Sequence, residues 1–235
     1  MKAIVTGAAG GIGSAIAAAL RAAGHEVIGH DVRPGEAGEV ELVGDLLDPA
    51  HRGQLLAVAE ERGVDALVLA HGIAAAVSLA QTTREFSDRA MKVNTLSMLD
   101  VFDDFRALLT ERGGVFVAIS SQAGLVGEAA NGPYCASKFA VVGWAEGLRD
   151  SGSTIPRVRI LCPGATVTPL LRRAFEGMAE SQGVTYEDIL AMRESRIPAG
   201  RLGRVSDLGA ATVWLAELSN PDVLIAPVTG GEVLA

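Results

Sequence analysis

Along the chain, short runs that are apolar at almost every position alternate with longer segments in which apolar residues recur every three or four positions. The first kind comprises "KAIVT", "EVIGHD", "VELVGD", "DALVLAH", "GVFVAISS" and "RVRILCPG". The second comprises "GSAIAAALRAAG", "PAHRGQLLAVAEERG", a long stretch from about Glu85 to Glu111, "PYCASKFAVVGWAEGLRD" and "VSDLGAATVWLAEL". Strands without a polar face belong in a parallel sheet, and the 3.6-residue period marks the helices that cover it on both sides. Right-handed β-α-β crossovers then give an α/β fold with a doubly wound parallel sheet of the Rossmann type. No linker, repeat or low-complexity tract divides the pattern, so a single domain is expected over residues 1–235. One stretch, about 168–204, breaks the alternation. Insertions after a strand's C-terminal end lie over the ligand crevice of such sheets, which makes this stretch a candidate substrate lid.

Composition narrows the partners. Hydrophobic residues make up 49% and aromatics 4%, so the core is built from small aliphatics. Twenty basic against 28 acidic residues leave a net charge of −8 with no basic block, which argues against nucleic acid and anionic membrane as partners. Cys135 and Cys162 cannot form a disulfide framework and read as free, buried thiols of a reducing compartment. The stretch "ALVLAHGIAAAVSLA" falls short of the roughly 20 residues that a membrane span needs. The glycine turn interrupts the opening apolar run too early for a signal peptide. A soluble, cytoplasmic protein is expected.

The turn "TGAAGGIG" places Gly7, Gly10, Gly11, Ile12 and Gly13 between the first strand and the first helix. Helix N-terminal N–H groups and the helix dipole bind phosphate, and glycines let the ligand approach the backbone, so the turn reads as a pyrophosphate cradle. No Gly-Lys-Ser/Thr follows, which excludes a Walker loop. At the end of the second strand, in "VIGHDVR", Asp31 is placed to accept both ribose hydroxyls and to repel a 2′-phosphate, which favours NAD over NADP. Arg33, two residues on, is the group that would reverse that preference. Asp45, in "VGDLLD", either meets the adenine edge or caps the following helix.

The chemistry concentrates in "YCASK", which sets Tyr134 and Lys138 four apart, on one face of a helix. A phenol titrates near 10, too high for a base at neutral pH; a nearby ammonium and an oxidised nicotinamide favour its ionised form. Tyr134 then takes the proton of an alcohol as hydride leaves its carbon, or returns it in reduction. "AISSQAG" brings two hydroxyls, Ser120 and Ser121, to a strand end, and Asn94 in "KVNTLS" puts an amide inside a helix, where burial requires hydrogen bonds. The four histidines and two cysteines show no metal-ligand spacing, so no metal is expected.

In this ordered set, over essentially its whole length, the chain resembles the short-chain dehydrogenase/reductase family in its compact single-domain form. The resemblance implies Ser121 as the catalytic serine, Tyr134 as general acid/base, and Lys138 as the group that lowers the Tyr134 pKa and holds the nicotinamide ribose. It implies Asn94 as the holder of a water that relays protons to Lys138. In "PGATVT", it implies that Pro163, Gly164 and Thr168 position the nicotinamide amide. Three departures stand out. "LAHG" replaces the usual "NNAG", so that His71, beside Gly72, takes a position where Ala is common; His71 either faces the cofactor or is packed or solvated. Thr166 stands where a branched aliphatic is frequent. The ending "APVTGGEVLA" is short, which leaves a homo-oligomer expected but dimer against tetramer open. "AGHEVIGHDVR" and "PGATVTPLL" are similar to stretches of bacterial 3α-hydroxysteroid dehydrogenases/carbonyl reductases, which implies a hydrophobic or cyclic secondary alcohol. Leu170, Leu171, Phe175, Met178, Ile189 and Met192 either line an apolar pocket for it or pack the lid helices together. The alternatives to an NAD-dependent alcohol dehydrogenase are an NADPH-dependent carbonyl reductase and a nucleotide-binding regulator without turnover.

Overall fold

The computed structural model describes residues 1–36, 38–74, 82–129, 131–149, 155–220 and 223–233. The far end of the apolar stretch weighed as a membrane span, residues 75–80, lies outside them. Strands β1 (Lys2–Thr6), β2 (Glu26–Asp31), β3 (Leu42–Val43), β4 (Ala66–Leu69), β5 (Val115–Ile119), β6 (Arg157–Pro163) and β7 (Leu224–Val228) form one sheet in the order β3-β2-β1-β4-β5-β6-β7. Every pairing in it is parallel. The helices are α1 (Gly11–Ala22), α2 (Pro49–Arg62), α3 (Arg84–Met91), α4 (Ser97–Glu111), α5 (Gly132–Glu146), α6 (Pro169–Gln182), α7 (Tyr186–Glu194) and α8 (Val205–Glu217).

Strand alternation sorts the core into two layers. Ile4, Ile28, Leu67, Leu69 and Phe116 pack with Leu55 of α2, Phe105 of α4 and Val141 of α5. Ala3, Val5, Val27, Val68 and Val117 pack on the other face with Ile16 and Leu20 of α1 and Leu208 and Leu215 of α8. Each Val, Leu, Ile or Phe among them, taken fully out of water, contributes roughly 1.5–3 kcal/mol. A third cluster, centred on Phe175, Ala179, Ile189, Ile197 and Leu202, belongs to α6, α7 and the chain that follows them.

Three elements differ from the sequence pattern. The "VELVGD" strand contracts to Leu42–Val43 at the sheet edge, where it pairs only with His30–Asp31. β7 escapes the pattern because Pro227 interrupts it; on an edge strand a missing N–H is tolerated. The long helix is continuous but contains a π-helical turn, Lys92–Leu96, between α3 and α4. That turn, of a kind found most often at functional sites, carries Asn94.

The strand order reverses between β1 and β4, and ligand crevices of open parallel sheets open at such a switch point, beyond the C-terminal strand ends.

Candidate active site

At the switch point the glycine turn is forced by contact. Gly7 has φ +70°, and a Cβ on it would stand 2.8 Å from the backbone of Ala70 and His71. A Cβ on Gly13 would lie 2.1 Å from the Gly7 carbonyl oxygen, so α1 can start this close to β1 only without one. The α1 N-cap, Gly10, offers no side-chain partner to the first-turn N–H groups, which stay free for an anion. A cleft of about 920 Å³ opens from this turn, lined among others by Asp31, Asp45, Gly72 and Val93. Its size and its cradle of missing side chains fit a dinucleotide.

Asp31 is buried at the end of β2. Its Oδ2 accepts the Ala9 N–H at 3.1 Å and its Oδ1 the Arg33 N–H at 3.1 Å, which ties it to the glycine turn. The Arg33 side chain is 67% exposed and approaches Asp31 only to 3.8 Å. Asp45 does not cap the following helix: Asp48 does, accepting the Ala50 N–H, while Asp45 accepts the Leu47 N–H at 2.9 Å in the preceding turn and faces the cleft.

His71 is packed and also faces the cleft. It lines the cleft while its two ring nitrogens lie 2.7 Å from Thr6 Oγ1 and 2.9 Å from Ser97 Oγ. Burial, then the Lys138 charge, pushes its pKa down to about 3. His30, buried in β2, meets His51 Nε2 at 2.8 Å, and burial followed by that neighbour lowers its pKa to about 4. Both rings are therefore neutral in the folded chain, whereas an unfolded histidine titrates near 6.5. Between pH 6.5 and about 4 the unfolded chain binds more protons, so stability present above pH 6.5 falls as the pH drops through that window. Each histidine adds a slope of up to about 1.4 kcal/mol per pH unit. Urea unfolding of wild type and His71→Gln from pH 7 to 4.5 checks this: the variant should show the shallower slope, and equal slopes would remove His71 from the account.

Deeper along the crevice, Lys138 is buried on α5 and its Nζ donates to the Ile119 carbonyl at 2.9 Å. Its Nζ sits 5.8 Å from the centroid of the Tyr134 ring, one helical turn back. Ser121, two residues past β5, accepts the Ala123 N–H at 3.1 Å, and its hydroxyl works to lower the Tyr134 phenol's pKa against burial. Ser120 turns away and donates to the Lys138 carbonyl at 3.1 Å, so of the two adjacent hydroxyls it is Ser121 that acts on the phenol. Gly72 joins this cluster to the cleft, since a Cβ there would stand 3.1 Å from Asn94 Oδ1 and 3.6 Å from Lys138 Nζ. Fully buried Asn94 clamps that passage: its Oδ1 accepts the Ile73 N–H at 2.8 Å, and its Nδ2 donates to the Ile73 carbonyl and Ser137 Oγ at 2.9 and 3.0 Å.

The electrostatics depart from expectation in one respect. Burial pushes the Tyr134 phenol up to about 12, the Ser121 hydrogen bond opposing it, and burial lowers Lys138 to about 8. Desolvation outweighs the Ser121 hydroxyl, and Tyr134 remains a phenol.

Pro163 and Gly164 end β6, and Gly164 packs so closely on Thr229 that a Cβ would stand 2.9 Å from its Cα. Thr168 caps α6, accepting the Leu171 N–H at 3.1 Å, and lies against Gly11; its hydroxyl proton remains available to a ligand. Thr166 does more than pack, donating to the Gly164 carbonyl at 2.9 Å and bridging to Gly203. Of the six apolar side chains at issue in the lid, Leu171, Phe175, Met178 and Ile189 pack with one another, while Leu170 and Met192 stay exposed. Both cysteines are free and buried, and no described helix is long and apolar enough to cross a membrane. Sequence reasoning passed over Gln122, Arg193 and Glu232; the one signal was a polar amide directly after Ser121 in "SSQAG".

Comparison with known proteins agrees with this geometry. A family profile described as "short chain dehydrogenase" matches residues 1–179. D-threitol dehydrogenase of Mycolicibacterium smegmatis is 32% identical, over 91% of this chain and 85% of that protein. The ligand-free structure of Thermoplasma acidophilum aldohexose dehydrogenase superposes with a TM-score of 0.89 at 26% identity, covering 98% of this chain and 93% of that one. A variant of actinorhodin polyketide ketoreductase, solved with NADPH, gives 0.87 at 28% identity, covering 98% and 96%. With a seven-stranded parallel sheet, a glycine cradle at its switch point and this family match, the chain belongs to the short-chain dehydrogenase/reductase family of nicotinamide-dependent oxidoreductases.

Proposed function

We propose that the chain is an NAD-dependent oxidoreductase that interconverts a secondary alcohol and its ketone, with Ser121, Tyr134, Lys138 and Asn94 as its working set. The observation that carries this reading is the Tyr134 ring, half-buried with the Lys138 ammonium 5.8 Å from its centroid and with Ser121 acting on its phenol. The nicotinamide, when bound, takes up or supplies the hydride. Ser121 holds the substrate oxygen by hydrogen bond. In ketone reduction the Tyr134 O–H gives its proton to that oxygen, a direction favoured by a phenol held at about 12. In alcohol oxidation the ionised Tyr134 takes the proton from the alcohol O–H. Lys138, charged at neutral pH even with its pKa lowered to about 8, favours the ionised phenol and reaches towards the ribose. Asn94 holds the Gly72–Ile73 passage beside Lys138 and, in the same reading, a water for proton relay. Pro163, Gly164 and Thr168 receive the nicotinamide amide. The exposed Leu170 and Met192 give a hydrophobic or cyclic alcohol a surface to rest on. Leu96 and Phe139, exposed on the long helices that carry Asn94 and Tyr134, support a homo-oligomer built there.

Asp31 underlies the choice of NAD. A carboxylate already fixed by two backbone N–H groups meets a 2′-phosphate as a like charge, and Arg33, mostly in solvent, does little to neutralise it. Fluorescence titration should therefore give NADH at least about tenfold tighter than NADPH, a difference of about 1.4 kcal/mol, and Asp31→Ser should narrow the gap. NADPH binding more tightly to wild type would mean that Arg33 dominates, and binding of neither would sink the reading. Turnover of a panel of secondary alcohols with NAD completes the test.

A further inference from the structure

Beside the catalytic set lies a polar cluster that the reaction does not use. Arg193 of α7 makes a two-pronged ion pair with Glu232, in the segment after β7, with both N–O distances 2.6 Å and only 19% and 21% of the side chains exposed. Such a fork-to-carboxylate pair fixes orientation as well as distance. Burial pushes the Glu232 carboxyl up, but hydrogen bonds from Arg193 and Gln122 more than offset it and hold it below the usual range. Gln122 is 3% exposed and directly follows Ser121; its Nε2 also donates to Glu128 Oε1 at 2.9 Å. The amide thus joins Glu128 on one side and, since Gln122 and Thr229 both close on Gly164, lies against the segment that carries Glu232 on the other. Its Oε1, left without a partner, is turned against Gly164, where a Cβ would stand 2.9 Å from it. Glu128 in turn accepts from Asn131 Nδ2 at 3.1 Å, at the start of the helix that carries Tyr134. One polar line therefore runs from α7 through Glu232 and Gln122 to both sides of the catalytic pair.

The two ends of this line differ in how firmly they are held. The segment after β7 leaves a strand paired with β6 through Pro163 and Val228, and is held there by the Gly164 N–H on the Val228 carbonyl at 2.9 Å. It is closed on itself by the Thr229 hydroxyl, which bonds the Val233 carbonyl and N–H at 2.7 and 3.1 Å. The Ala199 N–H, from the chain that follows α7, adds a bond to the Gly230 carbonyl at 3.0 Å. Helices α6 and α7, by contrast, pack around their own cluster, separate from both sheet layers. Glu232 is thus a fixed post for a semi-independent pair of helices.

We propose that Glu232 latches α7 to the catalytic loop, through Arg193 on one side and Gln122 on the other, and so sets the position of the α6–α7 lid and the affinity for the alcohol. Glu232, Arg193 and Gln122 are positioning residues, and the proposal rests on the lid and site as read above. Breaking the latch lets the lid open without touching the atoms that move proton or hydride.

Glu232→Gln keeps the shape and removes the charge. It should raise KM for the best alcohol of the panel about tenfold, with kcat and NADH affinity within about twofold of wild type. Amide hydrogens of residues 186–194 should exchange about tenfold faster, and those of β1 and β4 at the wild-type rate. Arg193→Lys, which keeps the charge and loses the fork, should fall between; it also serves if the first variant folds poorly. The exchanged pair Arg193→Glu/Glu232→Arg should recover much of both KM and protection. A merely structural pair would lower urea stability and leave KM alone, and unchanged KM with unchanged exchange overturns the latch. If no alcohol is turned over by wild type, the hydride reading falls by itself, and exchange in α7 still decides the latch: local acceleration in Glu232→Gln supports it, none removes it.

Discussion

Tyr134→Phe is expected to lower kcat about a thousandfold or more while leaving NADH affinity within about twofold of wild type. The substitution removes one oxygen from a half-buried ring and leaves the ring itself in place. That oxygen is the atom that, in the proposed reaction, works beside Ser121 and exchanges a proton with the substrate oxygen. The cleft is lined by the glycine turn, the ends of β2 and β4, α3 and the π-helical turn, and Tyr134 is not among its lining residues. Binding and chemistry should therefore separate cleanly. NADH titration with steady-state rates on the same preparation reads both. Turnover equal to wild type would show that another group carries the proton, and a parallel loss of NADH affinity would show that the ring shapes the cofactor site.

The second large effect is expected at Gly13. A methyl group at this position would be driven to 2.1 Å from the Gly7 oxygen and 2.6 Å from its carbonyl carbon, both backbone atoms that cannot rotate away. Either the first turn of α1 moves off β1 or the turn between them unfolds, and both move the N–H groups aimed at the pyrophosphate. Gly13→Ala should lose about a hundredfold or more in NADH affinity and about 1–3 kcal/mol in stability to urea. Gly53→Ala is the control. Gly53 sits inside α2, and a methyl group added there would meet nothing within 4 Å, so alanine should be neutral or stabilising by up to about 1 kcal/mol. If the two variants behave alike, close approach is not what Gly13 provides.

Periodicity and spacing alone determined the parallel sheet, its two helix layers, the glycine turn at the first crossover and the Tyr134–Lys138 face of α5. Each of these rests on local geometry: strands buried on both sides must be apolar throughout, and residues four apart on a helix must share a face. Other features were decided only when distant segments met. Asp45 and Asp48 both suit a helix start, and the path of the chain into α2 gave the cap to Asp48. The apolar residues of α6 and α7 had the same spacing whether they lined a pocket or packed together, and the approach of Ile197 and Leu202 settled four of them into packing. Asn94 acquired its partners from the loop after β4 and from α5, 21 and 43 positions away. Burial depth, which no local pattern encodes, set the direction of the shifts at Tyr134, Lys138 and His71. The Arg193–Glu232–Gln122 line joins residues up to 110 positions apart through side-chain contacts that leave no periodic trace, so only the folded chain brings it into view.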